Sequence, residues 1–302
     1  PYILIGYHED TLTCNRTQIK IPVDSVDVPD YWWSTPDGNI VSGDSTLEAT
    51  IDAPGTYKFN ALDSATGCTN SKSVVIDEYT QKPNVSLSSD TLTCIVDTVH
   101  INSRVEFTTD PTKVTYNWSA GAGGNIVPGD ENLPNPRVTA SANYELTLTD
   151  DLNGCTRTVT HYVERNNSKP AINLNDSPKD ITCARSKVTL EDNTGQTNVS
   201  YAWSTTGSGY IANKYTPTPT VDAAGWYTLR ITNNSNGCYI EDSVQVDTNY
   251  TTPSVFVDPV NDITCSNPEI QLSGGSSDSV SYKWTGVSIT GDPTSPLTYA
   301  DE

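Results

Sequence analysis

Apolar and polar residues alternate with a period of two through much of the chain. Tyr144-Glu-Leu146-Thr-Leu148-Thr and Tyr227-Thr-Leu229-Arg-Ile231-Thr carry the alternation furthest, and such a pattern places every second side chain on one face of a strand. Gln18-Ile19-Lys20-Ile21 and Lys187-Val188-Thr189-Leu190 do the same over four residues. No segment sustains a helical period, and Gly, Pro, Asn and Asp break the alternation at intervals of about ten residues. The pattern predicts an all-β chain of short strands, each with one buried face, assembled as two-sheet sandwiches.

The alternation itself recurs. Four segments open on a proline followed by an apolar strand, at Pro1, Pro83, Pro170 and Pro253. Each then reaches a Thr-Cys pair: Thr13-Cys14, Thr93-Cys94, Thr182-Cys183 and Thr264-Cys265. An aromatic-x-Trp strand follows, ending on Trp33, Trp118, Trp203 and Trp284, which are 85, 85 and 81 positions apart. Three segments continue through a strand centred on Tyr57, Tyr144 or Tyr227 and a turn ending in Gly67-Cys68, Gly154-Cys155 or Gly237-Cys238. Landmarks in one order at one period define repeats: 1–82, 83–169, 170–252 and a truncated fourth, 253–302. The equivalent tryptophans are expected in the cores, and the glycine of each Gly-Cys turn at a positive φ. The short proline linkers restrict the chain to extended conformations and predict a semi-rigid rod.

Composition narrows the class. Of 302 residues, 72 are Ser or Thr and only 35% are hydrophobic, which suits modest cores under large polar surfaces. Six Trp and sixteen Tyr argue against disorder. The formal net charge of −20 leaves no basic face for phosphates, so nucleic acid is not an expected partner. No apolar run is long enough for a transmembrane helix, so membrane insertion is not expected. The absence of Met, including at position 1, reads as a mature or excised product.

Seven cysteines fall two to a complete repeat and one in the fourth. Zinc fits them poorly, because no CxxC occurs and His8, His100 and His161 sit at non-equivalent positions. The even distribution predicts disulfides within repeats, Cys14–Cys68, Cys94–Cys155 and Cys183–Cys238, formed in an oxidising compartment. Cys265 is left over, with its Gly-Cys partner expected beyond residue 302. Each bridge should clip the first strand of its repeat to the last, stabilise by roughly 4 kcal/mol on the chain-entropy model, and shield most of the repeat from extension under load.

The pattern Pro…Leu-Thr-Cys…Tyr-x-Trp…Gly-Thr-Tyr…Gly-Cys-Thr resembles the PKD-like and Ig-like repeats of giant bacterial cell-surface adhesins, the SprB-type gliding adhesins of Bacteroidota among them. The resemblance implies tandem immunoglobulin-like sandwiches in a surface filament, exported by type IX secretion, with a role in adhesion or gliding. It also draws notice to Asp-(Ser/Thr)-aliphatic or -Thr tripeptides, which such bacteria O-glycosylate. Eight occur, with acceptors Thr11, Ser25, Ser45, Ser64, Thr91, Thr98, Ser243 and Ser279, where composition alone predicts about two or three.

No catalytic constellation is expected: there is no Gly-x-Ser-x-Gly elbow, and paired acids such as Asp150-Asp151 read as solvated turns. No cofactor is required, although the Asp/Asn-rich turns offer oxygen ligands of the kind calcium takes. The expected function is a structural or adhesive stalk segment of an extracellular fibre. Its expected partners are neighbouring repeats of the same chain, surface glycans or other fibre proteins. The alternatives are a carbohydrate- or receptor-binding ectodomain, for which Trp32 and Trp226 are candidate stacking residues, and a self-assembling filament subunit.

Overall fold

A computed structural model of the chain describes residues 1–107, 110, 112–175 and 180–301. Contacts divide it into two compact units, Pro1–Lys169 with Asn233–Cys238, and Pro170–Thr232 with Tyr239–Glu302. Strands account for all the regular structure among the described residues.

The first strands are β1 (Ile3–Ile5), β2 (Thr11–Thr13), β3 (Ile19–Val26), β4 (Asp30–Ser34), β5 (Ile40–Ser42), β6 (Glu48–Ile51), β7 (Gly55–Leu62) and β8 (Thr69–Tyr79). They form two sheets in the orders β1-β3-β6-β5 and β2-β8-β7-β4. The opening segment thus pairs first with one sheet and then crosses to the other, and the remaining strands take the immunoglobulin order. The alternation read from the sequence explains the packing: Ile19, Ile21 and Val23 of β3 face Tyr57, Phe59 and Ala61 of β7, all buried in one cluster. Burying each large apolar side chain contributes about 1.5–3 kcal/mol.

The same plan returns in β9 (Asn84–Ser89), β10 (Val99–Phe107), β11 (Val114–Ala120), β12 (Arg137–Val138), β13 (Ala142–Asp150) and β14 (Thr156–Val163), with sheets β12-β10-β9 and β11-β13-β14. Tyr144, Leu146 and Leu148 of β13 fill its core. Pro83 and Pro170 are buried, which fixes the chain where one sandwich gives way to the next segment.

In the second unit β15 (Ile181–Thr182), β16 (Val188–Thr189), β17 (Val199–Thr205), β18 (Ile211–Ala212), β19 (Thr220–Val221), β20 (Gly225–Asn233), β21 (Tyr239–Val246) and β22 (Thr248–Asn249) give sheets β16-β19-β18 and β17-β20-β21. β23 (Phe256–Val257), β24 (Glu269–Gly275) and β25 (Leu297–Asp301) make a further sheet. The architecture is all-β and immunoglobulin-like, as the residues predicted.

Three tyrosines tie strand to turn. The hydroxyls of Tyr57, Tyr144 and Tyr227 donate to the carbonyls of Ala53, Ala140 and Ala223, four residues upstream, at 2.6, 2.8 and 2.7 Å. This is the tyrosine corner of immunoglobulin folds, and burial raises the phenol pKa of Tyr57 and Tyr227, keeping the donor protons in place.

Trp33, Trp118 and Trp203 are core residues, each 3% exposed. Trp284 departs from expectation and is only half-buried. Among the described residues no hairpin equivalent to β7–β8 covers the β23-β24-β25 sheet, so nothing closes over that indole from the second layer.

Candidate functional site

The functional geometry gathers around the cysteines. Each Gly-Cys turn is a closed hairpin loop built the same way. In the second repeat the amide of Asp150 donates to the Cys155 carbonyl at 2.9 Å, and that of Gly154 donates to the Asp150 carbonyl at 2.7 Å. In the third, Asn233 and Gly237 repeat both bonds at 2.8 Å with Cys238 and Asn233, and in the first, Asp63 and Gly67 do so at 2.9 and 2.7 Å with Cys68 and Asp63. Gly67, Gly154 and Gly237 have φ of 72°, 71° and 68°, the left-handed region that favours glycine.

The Thr-Cys segments lie at the other end of their sandwiches. β2 pairs with β8 in parallel, with Thr11 opposite Asp77 and Thr13 opposite Tyr79, so Cys14 emerges beside the C-terminal end of β8. Cys68 directly precedes Thr69, the N-terminal residue of this 11-residue strand. At about 3.3 Å per residue the ten steps of β8 that separate the two cysteines alone span roughly 33 Å, against a disulfide limit near 7 Å between Cα atoms. The same parallel relation recurs between Leu92 and Arg165 and between β15 and β22.

The expected bonds within repeats, Cys14–Cys68, Cys94–Cys155 and Cys183–Cys238, are therefore replaced. The structure joins Cys14 to Cys155 and Cys94 to Cys238, with Cα–Cα distances of 5.0 and 5.1 Å and sequence separations of 141 and 144. Each bond links the Thr-Cys of one repeat to the Gly-Cys of the next, and both lie within the first compact unit. Cys68, Cys183 and Cys265 are free and exposed. The strand-to-strand clip within each repeat, with the load shielding built on it, falls with the pairing.

An asparagine completes each latch. Asn153 and Asn236, both 1% exposed, accept with Oδ1 from the amides of Cys155 and Cys238 at 2.8 and 2.9 Å. The Asn153 Nδ2 donates to the Gln81 carbonyl at 2.9 Å, and the Asn236 Nδ2 donates to Asn166 Oδ1 and the Ser168 carbonyl, each at 2.9 Å. The turn thus grips the preceding linker as well as the preceding cysteine. The amide of Asn15 donates to the Asn153 carbonyl at 3.3 Å and that of Cys94 to the Asn236 carbonyl at 3.2 Å. Glycine is needed for a second reason here, since a Cβ on Gly154 or Gly237 would collide with the side chain of Asn15 or Ile95. Cys155 and Cys238 are fully buried beneath this contact.

Sequence reasoning placed both cysteines of each repeat on the correct segments and missed their partners. Two cysteines per repeat are counted equally well by either pairing. The available signal was the Asn that precedes Gly-Cys in the second and third repeats.

The candidate O-glycan acceptors are scattered over the strands and turns. Ser25, Ser45, Ser64, Thr91, Thr98, Ser243 and Ser279 are exposed, and Thr11 is half-buried in β2. Trp32 and Trp226, 42% and 55% exposed, sit in different repeats and form no common platform in the sequence. No group of three or more His, Cys, Asp or Glu suited to a metal occurs among the described residues. Ser89 Oγ lies 2.9 Å from His161 Nε2, and burial lowers the His161 pKa. No carboxylate orients the ring among the described residues, so the pair lacks the third member of a nucleophile-activating set. One carboxyl is strongly perturbed: Asp130, held by Nε, Nη2 and the backbone amide of Arg137 at 2.7, 3.1 and 3.0 Å, has its pKa lowered to about 2 chiefly by those side-chain hydrogen bonds.

No family model matches the chain, and no curated protein does. Among solved structures, the four N-terminal Ig domains of Dscam1 isoform 6.44 align over 99% of this chain and 91% of theirs, at 10% identity and a TM-score of 0.25. Three N-terminal domains of the bacteriophage RB49 Highly Immunogenic Outer Capsid protein align over 82% and 98%, at 10% identity and a TM-score of 0.32. The S-layer protein rSbsC aligns over 99% and 62%, at 10% identity and a TM-score of 0.28. Superposition at that level carries no functional argument, and the fold assignment rests on the strand order.

Proposed function

We propose that the chain is a segment of an extracellular stalk whose immunoglobulin-like repeats, with limits at 82/83, 169/170 and 252/253, are bolted to one another by disulfides. The observation that carries this reading is the pair of bonds Cys14–Cys155 and Cys94–Cys238. A disulfide inside a domain stabilises that domain, whereas one between successive repeats holds their junction closed. The asparagine grip on each linker serves the same end. Such bonds persist in oxidising surroundings, which supports an extracellular location. The acidic, Ser/Thr-rich surface suits solubility there. Within this reading, the sequence resemblance favours a bacterial surface fibre used in attachment or gliding, with the eight Asp-(Ser/Thr) sites as O-glycan acceptors.

Pulling single molecules by their ends tests the stalk. With both bonds intact the shortest covalent route from Cys14 to Cys238 runs through the 61 residue steps between Cys94 and Cys155, a reach of about 200 Å at ~3.5 Å per residue. After reduction the route is the full 224 steps, about 800 Å on the same basis. Equal contour lengths with and without reductant would remove the mechanical role.

A further inference from the structure

Cys68 stands apart from its two bonded counterparts. Its hairpin is already closed by the same pair of backbone bonds that shape the latched turns, and Gly67 has the same left-handed φ. What differs is the surroundings. A Cβ on Gly154 or Gly237 would strike the residue that follows a Thr-Cys pair, whereas one on Gly67 would meet nothing within 4 Å. Cys155 and Cys238 are fully buried, and Cys68 is exposed. The hairpin of the first repeat therefore has the backbone shape of a latch half and lacks what covers the other two.

The complementary half is also present and free. Around Cys183, the parallel pairing of β15 with β22 matches that of β2 with β8. Asn249 Oδ1 accepts from the Thr251 amide at 3.3 Å, as Asn166 Oδ1 accepts from Ser168 at 3.2 Å, and Asn166 and Ser168 are the groups that Asn236 grips.

We propose that the Cys68 hairpin is a docking surface for the Thr-Cys end of another repeat of this kind, closing a third disulfide in the register of the two observed. The inference rests on the inter-repeat reading above. One residue sets this hairpin apart. Thr66 replaces the latch asparagine; its Oγ1 lies 3.4 Å from the Cys68 amide and donates its proton to Asp63 Oδ2 at 2.7 Å, so it has no donor left for a linker and the disulfide carries more of the joint. The oxidant is a low-molecular-weight disulfide such as oxidised glutathione. One thiolate attacks it and expels one glutathione thiolate, then the second cysteine's thiolate displaces the other glutathione, leaving one new S–S bond and two reduced glutathiones.

The test extends the full chain. A copy of residues 83–169, marked by Asp97→Glu, is fused ahead of Pro1 and recreates the Lys-Pro linker. The protein is oxidised with glutathione disulfide, alkylated, and digested without reduction. The expected product is a peptide linking the copied Cys94 to Cys68, with alkylation of Cys68 falling at least tenfold relative to the unextended chain. Cys68→Ser in the extended chain should leave the copied Cys94 alkylated. Undiminished alkylation of Cys68 while Cys14–Cys155 and Cys94–Cys238 are both recovered overturns this inference alone. Recovery of bonds within repeats instead overturns it together with the reading beneath it.

Discussion

Cutting the backbone between the first two repeats separates the two pairings most sharply. Gln81 and Lys82 are exposed, so a specific protease site inserted between them is accessible. With the bond observed here, Cys14–Cys155, the two pieces stay covalently joined after cleavage. With Cys14–Cys68 they would part at once, but that bond would have to bridge about 33 Å along β8, several times the reach of a disulfide. The magnitude follows from tethering. A short tether holds its ends at an effective concentration near millimolar. Loss of the bond at micromolar protein therefore costs the junction about 4 kcal/mol, three decades at ~1.4 kcal/mol each. Electrophoresis reads the result directly: one band without reductant, two with it. Size-exclusion chromatography should show the cleaved protein intact until reductant is added and split afterwards. Cys14→Ser is expected to part on cleavage alone. Two bands from the cleaved, unreduced wild-type chain would refute the reasoning.

Further outcomes follow from single side chains. Asn153→Ala leaves the buried amide of Cys155 without its partner and the Gln81 carbonyl ungripped, so a loss of about 1–3 kcal/mol is expected in denaturant unfolding; the same change at the exposed Asn70 should cost far less. Trp118→Ala should cost about 3–5 kcal/mol through the cavity it leaves, whereas Trp284→Ala, at a half-buried position, should shift the unfolding midpoint much less. Asp130 has its folded pKa at about 2, below the ordinary value near 3.9. Its ion pair is therefore fully stabilising above about pH 4 and is lost as pH falls toward 2; thermal melts of Asp130→Asn against wild type should converge in that window. Burial lowers the His161 pKa, so this neutral ring favours folding at high pH and opposes it as pH falls through about 6.5; His161→Gln should flatten that acid-side decline.

Much of this was legible in the residues because it depends on local alternation. Tyr57, Tyr144 and Tyr227 announce the same buried strand three times, and Trp33, Trp118 and Trp203 announce its partner. Gly67, Gly154 and Gly237 mark turns whose backbone only glycine adopts without strain. The repeat places Trp284 in a core by analogy with the other three, yet burial is not a property of one strand. It needs a second layer, and the described residues provide none over that indole.

The cysteines mark the boundary between the two kinds of knowledge. The sequence by itself determined that Cys14 ends an early strand, that Cys68 and Cys155 begin late ones, and that the spacing repeats. Which sulfur meets which was decided by the direction in which β2 lies against β8. Alternating side chains bury a face equally well in a parallel or an antiparallel pair, so hydrophobic pattern carries no information about strand direction. Parallel pairing sends Cys14 to the far end of β8 from Cys68, and only the folded chain brings Cys155 of the next repeat to meet it there.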